Sequence, residues 1–365
     1  MYLARAAACE SIFVSTVEAS FVAGEWPAHG LERVERCPAC GGTSRRLLYA
    51  DLTDRSYRSA PGRWSLHRCG DCSCAYLDPR PDEATAAVAY RTYYDDAAPP
   101  PEQDSRRGWR RFRRALRNGY LSSRYGYRLS PTSGLGRLAV PLLPRYRELA
   151  DEHVRHLRLP EGRPRLLDVG CGEGEFLAEM QSLGWSAEGL DPSAEAVATA
   201  QARGVRARKA TLSEARLEPG SFDAITFRLV FEHLRDPVTA LAECRRALEP
   251  GGVLWIATPS LDSEAHRVFR RNWISLEPPR HAVVYTASAL RRLLEATGFE
   301  VVAVRPSRQA RWSFRLSAAL AQGRPPFENA PPLSRRLALR AALADLRALR
   351  SPERADVVVV IARRR

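Results

Sequence analysis

The stretch LLDVGCGEGEFL, residues 166–177, restricts what this chain can fold into more than any other part of it. An apolar run ends at Asp168, glycines fall at 170, 172 and 174, and helical spacing begins at once. Upstream, RPRLL supplies an entering strand; downstream, EFLAEMQSLGW carries an apolar stripe at helical period and stops at Gly184. SAEGLDPS then reads as a second strand ending at Asp191, and AEAVATAQARG as a second helix ending at Gly204. Strand–helix–strand–helix succession demands a parallel sheet with helices packed on it.

Glycines so spaced let backbone approach a ligand, and two kinds of ligand suit the turn. A dinucleotide asks for G-x-G-x-x-G, whose last glycine allows close packing beside the pyrophosphate. Here that place holds Glu175, and the register is G-x-G-x-G. Glu173 and Glu175 flank the bend, where they repel a diphosphate but not a ligand centred on a sulfonium cation. Asp191 sits where the ribose of either cofactor wants an acceptor, so it does not discriminate.

Eight cysteines stand at 9, 37, 40, 69, 72, 74, 171 and 244, five of them between 37 and 74. CPAC (Cys37, Cys40) and CGDC (Cys69, Cys72) are two C-x2-C pairs, and SRRLLYA and RWSLHRC between them look like short strands. Two such turns present four thiolates to one zinc ion, the arrangement of a zinc ribbon. Four thiolates close the shell, so the ion would be structural. Ser73 stands where a glycine often follows the second turn, and Cys74 reads as a bystander in the strand CAYL.

With these features on the page, the chain resembles the class I S-adenosylmethionine (SAM)-dependent methyltransferases. LLDVGCGEGEFL is similar to their first motif, GLDPS to the acidic end of their second strand, and FDAITFRLVFEHLRDP to their fourth strand and the helix after it. LEPGGVLWIATPS is similar to the fifth strand and ATGFEVVAV to the sixth. YLDPRP (Tyr76–Pro81) and EPPRHAVVYT after Trp273 resemble a bacterial branch that joins a zinc ribbon to this domain in saccharide or secondary-metabolite pathways. The resemblance covers roughly residues 35–85 and 150–305, plus the last strand.

It implies a Rossmann-like, seven-stranded, mostly parallel α/β sheet with helices on both faces, preceded by a small zinc ribbon. The expected division is an N-terminal extension (1–34), the ribbon (35–82), a basic helical linker (83–145) and the catalytic domain (146–365) with a helical insertion at 306–353. It also implies roles. Asp168, Gly170, Cys171, Gly172 and Gly174 would wrap the methionine part of SAM, and Asp191 would accept from its ribose, with Pro192 beside the adenine. Thr211 and Leu212 would cover the adenine, although relatives often place an acid near there. Phe227 and Arg228 would line the methionine side and the acceptor mouth; Leu229 replaces a histidine common in relatives.

SAM brings the reactive methyl group, so the protein supplies alignment and, for an alcohol acceptor, a base. His281, in PPRH, is the first candidate for that base, with the alternative that it merely pins its loop. Glu232 and His233 read as a helix cap and packing device, Arg280 as a solvated cation rather than an anion clamp, and Trp273 and Tyr285 as packing residues.

The net charge of +14 would ordinarily suggest nucleic acid, but Lys209 is the only lysine and the arginine excess has the look of a GC-rich genome. Trp109 and Phe112 are interspersed in the basic helix RRGWRRFRRALR, which reads as a solvated helix near the active-site mouth. No apolar run approaches the ~18 residues of a membrane span, and Glu10 and Glu18 break any signal core, which favours the cytoplasm. Three functions remain in view: methyl transfer to a hydroxyl of a small-molecule or saccharide acceptor, with sugar C-methylation as its nearest rival; RNA methylation; and a non-catalytic zinc module. The insertion reads as a lid over the acceptor or as a homodimer contact.

Overall fold

The computed structural model describes residues 25–90, 107–328 and 330–365. The N-terminal extension up to residue 24, with Cys9, and the proline-rich joint at 97–106 fall outside the described residues.

The ribbon is built from β1 (Arg45–Leu52), β2 (Trp64–Cys69) and β3 (Ala75–Leu77), all antiparallel. The basic helix α1 (Arg107–Tyr125) and α2 (Pro144–His153) then lead into the sheet. Six alternating elements follow: β4 (Arg165–Val169), α3 (Glu175–Ser182), β5 (Ser186–Asp191), α4 (Ala194–Ala202), β6 (Arg206–Lys209) and β7 (Phe222–Arg228). Then come α5 (Pro237–Ala247), β8 (Leu248–Pro259), α6 (Glu264–Phe269), β9 (Val283–Val284) and α7 (Ala287–Ala296). The chain ends with β10 (Phe299–Ser307), α8 (Ala310–Ala321), α9 (Arg335–Ala348) and β11 (Val357–Arg364).

The seven-stranded sheet runs β10-β11-β8-β7-β4-β5-β6, with β4 to β8 parallel and β11 antiparallel to both its neighbours. The order reverses between β4 and β7, and ligands of such sheets bind outside the carboxyl ends of strands at that switch point. Central strands have apolar residues on both faces, as a doubly covered sheet requires: Leu166, Leu167, Ala224, Ile225, Leu254 and Ile256 have no exposed surface.

Sequence spacing suggested separate modules, but the structure knits ribbon and sheet together. β9, in the loop after β8, adds as a fourth strand to the ribbon sheet, Val283 opposite Tyr76 and Val284 opposite Ala75. Cys37, Cys72, Cys74 and Tyr76 share one apolar cluster with Phe227, Ile256 and Tyr285. Trp273 and Tyr285 pack as expected, 1% and 0% exposed. Of the insertion, α8 packs into the cluster that holds Trp64, Leu66 and Trp273, through Phe314 and Leu320. The insertion thus braces the ribbon through α8, while Ser307 and Gln309 at its start line a cavity beside the glycine turn.

Candidate functional site

The glycine turn folds back on the strand beside it. The N–H groups of Gly170 and Cys171 both donate to the Leu190 carbonyl, at 2.7 and 3.0 Å, so β5 dictates the path of the bend. Gly170 has φ +72°, and a Cβ there would stand 2.3 Å from Val230 Cγ2. Gly174, at φ +78°, opens α3 while pressed against α4 and its exit loop; a Cβ would meet Val205 at 2.7 Å and Ala200 at 2.8 Å. Only glycine meets both demands. Cys171 is buried, and burial pushes its thiol up to about 12, which leaves it protonated.

Asp191 closes the turn. Its carboxylate accepts from the Gly172 N–H at 2.9 Å and, through the other oxygen, from the Ser193 N–H at 2.9 Å. Pro192 is exposed next to it. Across β6, Thr211 is exposed and its N–H and hydroxyl both donate to Glu214 at 2.8 Å. Leu212, 5% exposed, packs in the core.

Two further expectations need correction. Phe227 is fully buried in the core against the edge of the Phe231 ring, because β7 is covered on both faces up to this residue; only Arg228, the last residue of the strand, emerges into the open. Asp168 does not face open space. Its carboxylate pairs with Arg155 (Nη2 to Oδ2, 3.1 Å) and accepts from the Thr226 hydroxyl at 2.9 Å. Burial pushes the Asp168 carboxyl upward, while Arg155 and Thr226 work against that shift.

Arg155 was not legible as a site residue. It lies just beyond α2, and both it and His156 adopt left-handed backbone, φ +47° and +56°, which no glycine or asparagine announces. Its guanidinium lies 3.5 Å over the Phe176 ring and 5.4 Å from Trp255. Around it opens a cavity of about 450 Å³ lined by α2, α3 and the carboxyl-end face of β7 and β8, with Glu152, Glu175, Arg228, Leu229 and Ala257 on its walls. The cavity sits at the carboxyl ends of the central strands, beside the glycine turn, where such folds bind ligands.

His281 does not line that cavity. It is 3% exposed, and its Nδ1 is 2.8 Å from the Ser275 carbonyl, so the loop-pinning alternative describes it. Burial pulls its imidazole down to about 4. His233 lies across from it, ring centroids 4.7 Å apart, with Nδ1 2.9 Å from the Tyr90 hydroxyl. Burial lowers His233 to about 3 and raises Glu232 to about 8. These two residues do not open a long helix as their sequence suggested; they form the short turn Phe231–His233, and α5 starts at Pro237 after an Asp236 cap. Arg280 is neither solvated nor free to clamp an acceptor: it is 2% exposed and holds Asp54 of the ribbon at 2.6 and 3.0 Å.

At the ribbon, the ligand atoms of Cys37, Cys40, Cys69 and Cys72 all lie within 4.8 Å of one another. Cys37–Cys72 and Cys40–Cys69 sulfur distances are both 3.6 Å, close to the roughly 3.8 Å edge of a tetrahedron with Zn–S bonds of about 2.3 Å. The residues present therefore fit a structural zinc ion. Ser73 takes the left-handed conformation of the absent glycine, φ +69°. Cys74 is less of a bystander than expected, its sulfur 3.2 Å from Cys72 and 3.4 Å from Cys37.

Comparison with known proteins agrees with this geometry. A family model described as a methyltransferase domain matches residues 143–304. A ubiquinone biosynthesis O-methyltransferase of Albidiferax ferrireducens is 31% identical over 115 residues, 29% of this chain and 45% of its own. A protein of Mycolicibacterium smegmatis named a probable S-adenosylmethionine-dependent methyltransferase is 34% identical over 145 residues, 37% of this chain and 52% of its own. The chain thus spans about half the length of the curated relatives it matches. A solved SAM-dependent methyltransferase from Thermotoga maritima aligns at 22% identity over 61% of this chain and 92% of its own, with a TM-score of 0.40. No helix of the described residues is long and apolar enough to cross a membrane. Motif order, sheet topology and the family match together identify residues 143–304 as a class I SAM-dependent methyltransferase domain, docked on a four-cysteine ribbon that suits zinc.

Proposed function

We propose that this protein transfers the methyl group of SAM to a hydroxyl of a small organic acceptor, a saccharide or a secondary metabolite. The observation that carries the reading is the Asp191-closed glycine turn beside a cavity of about 450 Å³, a size suited to one small molecule rather than a polymer. Two residues of that cavity, Arg155 and Arg228, are cationic, and the buried Nε of Arg155 has no hydrogen-bond partner among the described residues. They are the groups to hold the carboxylate of the SAM methionine. Asp191 would take the ribose hydroxyls, backbone at Thr211 and Leu212 the adenine, and Glu173 and Glu175 would favour the sulfonium charge over a diphosphate. The O-methyltransferase names of relatives support oxygen as the acceptor atom.

When bound, SAM supplies the activated methyl group, and transfer is an in-line displacement by the acceptor oxygen. The chain's own part is alignment and proton removal. An alcohol becomes strongly acidic as its oxygen gains the methyl carbon, so a weak base suffices late in the step. Neither His281, tied into its loop, nor His233 lines the cavity, so neither is assigned as the base. Calorimetry of the full chain with SAM, its demethylated product and NAD tests the cofactor: binding of the first two and not NAD is expected. Acceptor class is then tested by mass gain of nucleotide sugars, free sugars and phenols incubated with SAM. NAD binding without SAM binding would reject the reading, and methylation confined to RNA would reject the acceptor.

A further inference from the structure

Glu232, His233 and His281 converge although they come from two different segments, the turn after β7 and the loop before β9. One potential ligand atom from each lies within 4.8 Å of the other two. The proton positions on the imidazoles follow from their partners. His281 Nδ1 faces the Ser275 carbonyl at 2.8 Å, and His233 Nδ1 faces the Arg280 carbonyl at 3.2 Å. A carbonyl only accepts, so His281 Nδ1 carries the hydrogen and its Nε2 presents a lone pair; His233 Nδ1 also lies 2.9 Å from the Tyr90 hydroxyl, which can donate or accept, so a metal on the His233 Nε2 requires the Nδ1 hydrogen to face the Arg280 carbonyl and the hydroxyl not to donate to that nitrogen. Glu232 is 1% exposed; one oxygen accepts from the Thr258 hydroxyl at 3.0 Å, and the other, Oε1, has no partner among the described residues.

Buried acceptors gathered without donors between them are costly, and an unpartnered carboxylate oxygen among them needs a cause. A hydrogen bond from a protonated Glu232 to either ring would satisfy it, but no such contact is made. The spacing suits a bridging ion: three atoms no more than 4.8 Å apart have a common centre within roughly 2.8 Å of each, and small side-chain rotations bring that to the ~2.0–2.2 Å of metal–nitrogen and metal–oxygen bonds. Ligating histidines ordinarily fix their second nitrogen on a carbonyl or carboxylate, as both rings do here. Glu277, with Oε2 3.6 Å from His281 Nε2, is a fourth ligand within reach.

We propose that Glu232, His233 and His281 form a second metal site, for a divalent transition-metal cation, separate from the ribbon cysteines. Two imidazoles and a carboxylate suit zinc, manganese, iron(II) or cobalt(II), and leave coordination positions open. The site stands on geometry alone: an ion there would tie the turn after β7 to the loop before β9, and none of its three ligands lines the cavity of about 450 Å³ beside the glycine turn.

The test uses the full chain loaded with one molar equivalent of zinc, which the thiolates take first, then desalted and titrated with cobalt(II). Zinc should stay on the cysteines, because it outcompetes cobalt at a thiolate site. Elemental analysis should show one zinc plus one cobalt per chain. The bound cobalt should give only weak ligand-field bands, since an intense sulfur charge-transfer band would report cysteine exchange instead. E232Q and H281Q should each lose the cobalt and keep the zinc, and H233Q, at the half-buried position, should do the same without a change in folding. A wild-type chain that stops at one metal, or an E232Q chain that still binds cobalt, overturns the proposal. SAM calorimetry on the same samples separates the two claims, because intact SAM binding with a single metal leaves the methyltransferase reading standing while this site falls.

Discussion

Asn in place of Asp54 is expected to weaken the fold by about 3–5 kcal/mol, the cost of breaking a buried ion pair by removing one partner. Both side chains of the Asp54–Arg280 pair are fully buried. The carboxylate accepts from Arg280 at 2.6 and 3.0 Å and from the backbone N–H groups of Tyr57, Ser59 and Ala60 at 3.1, 2.9 and 3.1 Å. Asparagine turns one of these oxygens into a donor aimed at other donors and leaves the guanidinium with Glu277, 3.1 Å from Nε, as its remaining carboxylate. That residual partner places D54N nearer the lower end of the range. Equilibrium urea unfolding of zinc-loaded protein at pH 7 measures the change, and a cycle with R280M and the double variant D54L/R280M isolates the pair. The double variant should be far less damaged than either single one, since well-packed apolar replacement of a buried pair is often close to neutral. Burial works to raise the Asp54 carboxyl, but Arg280 and the backbone donors leave it below its ordinary value. Its contribution is therefore present above the ordinary carboxylate range and lost only as pH falls through the depressed folded value. The gap between wild type and D54N should hold from pH 8 to pH 5 and close below about pH 4. A cost under about 1 kcal/mol, or strictly additive single effects, would refute the claim that this pair ties ribbon to domain.

Gly170→Ala combines a left-handed residue, worth about 1–2 kcal/mol, with a contact against Val230, so SAM affinity should fall at least ten-fold by calorimetry; a change under two-fold contradicts the role of the turn. Cys69→Ser should lose zinc and lower the melting temperature sharply, whereas Cys74→Ser should keep one zinc per chain by elemental analysis, despite its sulfur lying 3.2 Å from Cys72. Asp356, 5% exposed, is raised by burial, and further by Asp345, to about 7, so the wild type should lose stability as pH rises from the ordinary carboxylate range toward 7. Asp356→Asn removes that loss, and its advantage in thermal or urea unfolding should grow to the order of 2–4 kcal/mol by pH 7 and stay level above.

Local pattern alone determined a good deal of this molecule. The glycine turn, the strands through Asp168 and Asp191, the helices ending near Gly184 and Gly204, and both cysteine pairs were readable because each depends on residues a few positions apart. Tertiary structure alone decided what the charged and aromatic residues do. Arg280 looks solvated in sequence, yet 226 positions separate it from the carboxylate that buries it. Arg155 owes its place over the cavity to a left-handed bend of ordinary residues, and Phe227 lost its expected role because the ribbon core covers it. His281 and His233 met only when the β9 loop docked on the ribbon, through a strand of two residues with no period to detect. Periodicity is written along the chain, while burial and ion pairing are set by which surfaces exclude water together, and that depends on the whole fold.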